Sequence, residues 1–152
     1  MAEHEGLVDR FNQSQRTLTD AVSGLGEQKV SEVWLGSWGV KQIVAHIAGW
    51  ETAMTEALGK MARGERPTAE GINLSDTDGT NEMFVQRAAG EGWQQLLADL
   101  DSAGTRFAAA IRALPADRLE EGKTGRRIIE TMIGHPEEHI GQIVDWRQSA
   151  GA

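Results

Sequence analysis

Apolar residues return every three or four positions along almost the whole chain, and its few β-branched residues never alternate over a run. That period belongs to helices that bury one face, so the pattern predicts an all-α protein. A first helix spans about Glu3 to Val22, with Leu7, Val8, Phe11, Leu18, Ala21 and Val22 on its apolar side and Gly24 and Gly26 to stop it. A second runs from about Trp38 to Ala62, capped by Gly39 or Ser37, with Val40, Ile43, Val44, Ile47, Met54, Leu58 and Met61 as its stripe. Asn81 to Leu114 reads as a third, through Phe84, Val85, Trp93, Leu96, Leu97, Leu100, Phe107 and Ile111, closed by Pro115 and weakened by Gly90, Gly92 and Gly104. The segment "KTGRRIIETMIGHPEEHIGQIVDWRQ" supplies a fourth, with Ile128, Ile129, Met132, Ile133, Ile140, Ile143 and Trp146 on one side.

Four amphipathic helices of this length bury their stripes most economically in a four-helix bundle. Between the second and third lies "RGERPTAEGINLSDTDGT", Arg63 to Thr80, long for a connection in so small a protein. Such a loop can cross the end of a bundle or cover a site. The 152 residues form one domain in this reading, 1–152. No repeat or low-complexity segment interrupts them.

Composition narrows the chemistry. There is no cysteine, which removes disulfides, thiolate metal sites and cysteine nucleophiles together. The first ten residues are charged where a signal peptide would carry an apolar core, and no window approaches the roughly 18 apolar residues of a membrane span. A soluble cytoplasmic protein without a membrane partner is expected. The formal net charge of −8 would repel a phosphate backbone, and "GKTGRRIIE" offers only three cations, so no nucleic-acid partner is expected either.

Of the four histidines, three fall inside helices near the faces those helices bury. His46 lies three residues after Ile43 on the second helix; His135 and His139 share one face of the fourth. Imidazoles at i and i+4 can converge on one ion at about 2.0 to 2.1 Å each, and a third from a facing helix would leave positions open for water or substrate, as in catalytic sites. The alternative is plain: a histidine on a buried face is as readily a hydrogen-bonded core residue, and an H-x-x-x-H pair arises often by chance. Spacing leaves both open. No G-x-S-x-G elbow, Walker motif or dinucleotide glycine motif is present, and Glu137, Glu138, Glu120 and Glu121 read as solvated helix faces. The five tryptophans read as core and helix-end packing.

"SWGVKQIVAHIAGWE" and "GHPEEHIGQIVDW" together resemble the signatures of the DinB-like (DinB/YfiT-like) superfamily. In that superfamily a capped second helix carries one histidine ahead of an aromatic-acidic pair, and the last helix carries two histidines four apart before Gly-Gln-Ile. The resemblance spans about Trp34 to Trp146. It implies a four-helix bundle with unusual connectivity and a divalent metal, nickel or zinc, held by His46, His135 and His139. Similar proteins include thiol-dependent enzymes acting with mycothiol or bacillithiol, and homodimers are frequent among them.

A divalent-metal-dependent enzyme is therefore expected, a thiol-dependent S-transferase or a hydrolase acting on an electrophilic small molecule. The alternative is a non-catalytic metal- or small-molecule-binding protective protein. The reacting group would be a bound water of lowered pKa or a bound thiolate. Glu138 or Gln142 could fix an imidazole tautomer, and Asn81 is expected to cap the third helix or to reach the substrate pocket. Pro136 departs from the superfamily, whose residue there is helix-compatible. It removes a backbone donor and crowds the Met132 carbonyl, so either one helix runs through it or a new helix starts at it.

Overall fold

The computed structural model describes residues 2–152, and every regular element among them is helical. Four long helices, α1 (Ala2–Val22), α3 (Val40–Ala62), α5 (Trp93–Ala113) and α6 (Thr124–Ala150), are joined by two short ones, α2 (Glu27–Val30) and α4 (Thr77–Arg87), and by a 3-10 turn at Ala116–Leu119. α5 packs on α1 and α3, and α6 packs on the same two, so α1 and α3 sit across a diagonal of the bundle. The chain must therefore cross the bundle from α1 to α3 and again from α5 to α6. That is the unusual connectivity the resemblance implies.

The stripes read from the sequence are the faces that are buried. Phe11 and Phe107, with ring centroids 4.8 Å apart, centre one half of the core. Leu18, Ile43, Ile47, Trp93 and Leu100 make the other half. At the level between the halves stand Gln15 of α1, Glu51 of α3 and Gly104 of α5. Gln15 Nε2 donates to Glu51 Oε1 at 3.0 Å, and a Cβ on Gly104 would stand 2.7 Å from that same Nε2, so the missing side chain makes the room for the polar pair.

The expected third helix, Asn81 to Leu114, is divided. α4 ends at Arg87, and α5 starts at Trp93 with Gly92 as its N-cap. Gly90 and Gly92 lower the helical propensity at this point, and the Glu27 carboxylate of α2 accepts from the Trp93 backbone N–H at 3.2 Å, fixing the new helix start. α4 begins earlier than expected, capped by Asp76, whose carboxylate accepts from Gly79 N. The connection after α3 thus shortens to Arg63–Asp76, and Asn81 lies inside α4 instead of capping it. At the start of α3 the cap is Gly39: its N–H donates to Gln42 Oε1 at 2.8 Å, and a Cβ there would meet the Glu32 carbonyl oxygen at 1.9 Å.

α6 runs unbroken through Pro136. Proline cannot donate to the Met132 carbonyl; beside it, Ser14 Oγ of α1 donates to the Ile133 carbonyl at 2.9 Å, tying this turn of α6 to α1. At the far end of the molecule, Arg147 of α6 donates to the Ala21 and Ser23 carbonyls and so closes the C-terminus of α1.

Candidate metal centre

His46 lies on the inner face of α3, one turn past Ile43 and 1% exposed. His135 and His139 stand one turn apart on α6, half-buried, on either side of Pro136. Because α3 and α6 are neighbours in the bundle, the three rings meet. Their ligand nitrogens all lie within 4.8 Å of one another, and His46 Nε2 is 3.2 Å from His135 Nε2. Two nitrogens that bind one ion at 2.0 to 2.1 Å with a tetrahedral angle stand about 3.3 Å apart, so this pair already has a chelating separation. The rings are steeply inclined, at 81°, 90° and 74° to one another, edges rather than faces meeting.

The electrostatics favour lone pairs over protons. Burial, with the neighbouring His135 and His139 imidazoles, pushes the His46 pKa down to about 3; the Ile43 and Gln42 carbonyls offset only part of this. Burial and His139 push His135 down to about 4 against the opposing field of Glu138. A neutral imidazole is the form that ligates a metal. The His139 Nδ1–H donates to Gln142 Oε1 at 2.8 Å, which leaves the Nε2 lone pair free to face its two neighbours. Glu138 is exposed and, among the described residues, bonds none of the three rings. Trp38 packs against His46 with centroids 4.7 Å apart, closing that side.

The residues fit a divalent ion: three nitrogen donors, no competing charge among them, and no fourth His, Asp or Glu grouped with them among the described residues. His135 also forms one edge of a cleft of about 450 Å³. α6 makes its floor with Ile128 and Met132, α3 one wall with Trp50 and Met54, and α4 with the Arg63–Asp76 connection the other. Asn81 lies on that wall, where its Oδ1 accepts from the Trp50 indole N–H. Trp50 is further held edge-on by Phe84 at 5.4 Å, and Phe84 can approach because α3 has Gly49 beneath it. The spacing of the histidines was readable in the sequence; the cleft was not, because its lining comes from three helices and a connection far apart in the chain. Trp50 reads there as packing, whereas it walls the cleft.

The family model of the mycothiol maleylpyruvate isomerase N-terminal domain matches residues 11–127, a stretch that includes His46 and ends before His135. No curated protein matches the chain. Among solved structures, the colibactin self-resistance protein ClbS, in complex with a double-stranded DNA, is 19% identical with a TM-score of 0.80, covering 96% of this chain and 95% of its own. DfsB, a sibling lethal factor precursor, is 14% identical with a TM-score of 0.83, over 97% and 96%. An uncharacterised protein from Escherichia coli UTI89 is 15% identical with a TM-score of 0.81, over 97% and 94%. These likenesses establish the shared DinB-like, all-helical fold.

One of them also corrects an expectation. The net charge was read as excluding a nucleic-acid partner, yet ClbS, with the same fold, was crystallised on duplex DNA. Net charge is a sum over a whole surface, whereas a duplex meets only the local field of one face. The exclusion does not hold. No helix among the described residues is long and apolar enough to cross a membrane.

Proposed function

For a chain that belongs to the family of the mycothiol maleylpyruvate isomerase N-terminal domain, within the DinB-like superfamily, we propose a divalent-metal function with His46, His135 and His139 as ligands. The metal is nickel or zinc, and the chemistry is transfer or hydrolysis at an electrophilic small molecule, with a low-molecular-weight thiol or water as the nucleophile. The observation that carries this reading is the convergence of three imidazoles, one buried and two half-buried, with His46 and His135 3.2 Å apart and His135 at the edge of a largely apolar cleft.

A divalent ion in such a site supplies Lewis acidity and lowers the pKa of a ligated water or thiol. The chain's own residues do the rest. Gln142 holds the His139 tautomer, Trp38 shields His46 from water, and Asn81 holds the Trp50 indole as a flat wall against which a substrate is oriented.

A second reading has its own support. No carboxylate is among the residues lining the cleft, so none stands ready there as a general base, and ClbS is described as a self-resistance protein. On this reading the chain sequesters a reactive small molecule without turning it over. The same relative places duplex DNA among the partners a binding assay should include, and fluorescence anisotropy with a labelled duplex measures it directly.

Metal analysis of untagged protein tests the central claim. The chain should carry about one equivalent of a divalent metal, and the variant with His46→Ala, His135→Ala and His139→Ala should carry none; equal, negligible metal in both refutes the site. Assay with several low-molecular-weight thiols and a chlorinated aromatic electrophile then separates the readings. Turnover that disappears with the metal favours the enzyme, and metal without turnover favours the binding protein.

A further inference from the structure

The cleft beside His135 differs electrically from the rest of the molecule. The chain carries a net charge of −8, and a cavity of about 570 Å³ between α3, α4 and α5 has Glu56, Glu70, Glu91 and Asp99 in its lining against Arg87 and Arg106. The lining of the histidine cleft contains no acidic residue and one cation, Arg127. That exposed guanidinium has no carboxylate within ion-pair distance among the described residues; its one hydrogen bond among them is a long 3.4 Å bond to the Thr124 hydroxyl. Its neighbour Arg126, by contrast, is engaged by Glu3 and Glu130.

Arg127 and His135, the one histidine in the lining, are separated along the cleft. Both are on α6, eight residues apart, which at a rise of 1.5 Å per residue is about 12 Å. Between them the floor and wall are largely apolar, formed by Ile128, Met132, Met54 and Trp50 beside the hydroxyl of Thr131. A ligand that satisfies all three parts has an anionic head, an apolar body roughly eight to ten bonds long, and a reacting end.

We infer that the cleft binds an elongated amphipathic oxyanion, its carboxylate or phosphate head on Arg127 and its apolar chain along Trp50 and Met132 toward the histidines. This rests on the reading of the histidine end as the reacting end; the placement of the head does not. A guanidinium pairs with carboxylate and phosphate oxygens through two parallel N–H donors, and a head group of either kind would meet no acid in the lining.

Calorimetric titration with octanoate, octyl phosphate and octanol tests it, on both the metal-stripped and the zinc-loaded full-length chain. At least one of the two anions should bind about tenfold more tightly than octanol to the stripped chain, the gain of one charged hydrogen-bonded pair. Arg127→Gln should abolish that preference while leaving octanol unchanged, and Thr131→Phe, an exposed position in the cleft lining, should weaken all three ligands by blocking the body. Which anion prevails assigns the head group. The inference is overturned if octanol binds as tightly as both anions, if the preference survives Arg127→Gln, or if Thr131→Phe changes nothing. Zinc stoichiometry on the same samples reports separately on the metal ligands, so a failed metal site and a failed oxyanion site give different results.

Discussion

Glu51 is fully buried; among the described residues its carboxyl is hydrogen-bonded only by Gln15, and the second carboxyl oxygen has no partner. Burial pushes its pKa up to about 8, the Gln15 amide opposing this only in part, so the folded chain holds the carboxyl protonated at neutral pH. An unfolded chain releases that proton near the ordinary glutamate value, so the stabilisation is complete below about pH 4.5 and is lost as pH rises through about 8. Glu51→Gln keeps an acceptor for Gln15 and has no charge to acquire. The variant should be more stable than the parent at pH 9, by roughly 1–3 kcal/mol, with the difference shrinking toward pH 5; urea midpoints at the two pH values measure it. A constant difference across the range would contradict a buried neutral carboxyl. The sequence marks Glu51 only as part of an aromatic-acidic pair, since nothing local says that the facing residues are Gln15 and a bare Gly104.

At the scale of elements, α6 is the helix whose sequence argues against itself. Pro136 falls between the two histidines that must stay one turn apart, and the helix nevertheless continues. Ser14 of α1 anchors this turn to the neighbouring helix, donating to the Ile133 carbonyl beside the proline. Ser14→Ala removes a buried donor and should cost about 1–3 kcal/mol, and it should weaken metal binding along with stability if the same turn aims His135. Cobalt titration beside a denaturation curve reads both; unchanged stability would show that the hydroxyl is dispensable. α3 and α4 depend on an absence. A Cβ at Gly49 would lie 2.3 Å from the Phe84 ring, so Gly49→Ala should displace Phe84 and destabilise the chain by about 1–3 kcal/mol, with a shift in the emission of the adjacent Trp50. The stripes of α1, α3 and α6 were legible from their period alone. The break between α4 and α5 was not, because two glycines weaken a helix without saying whether it ends, and Glu27 of α2 decides that it does.

For the whole molecule, the buried titratable groups act against one another. The depressed pKa values of His46 and His135 mean that an unfolding chain takes up protons they refuse, so metal-free stability should fall as pH drops from about 6.5 toward 4. Glu51 acts in the other direction up to about pH 8. Stability of the metal-free chain should therefore peak near pH 6.5, its alkaline limb absent in Glu51→Gln and its acid limb flattened in the triple histidine variant. Denaturation from pH 4 to 9 gives the profile, and a monotonic curve would contradict the assignment. Bound metal should deepen the acid limb, because the ion and protons compete for the same lone pairs.

By itself the sequence determined the class of fold, since the apolar period sets which face each helix must bury, and it put two histidines one turn apart because that spacing is a property of any helix. That His46 joins them was implied by the family resemblance, as no local rule links residue 46 to residues 135 and 139. Tertiary structure alone decided that α3 and α6 are neighbours, that Asn81 faces Trp50, and that the cleft beside His135 is lined by Arg127 and by no acidic residue. Those properties depend on packing between segments distant in the chain, where local periodicity carries no information.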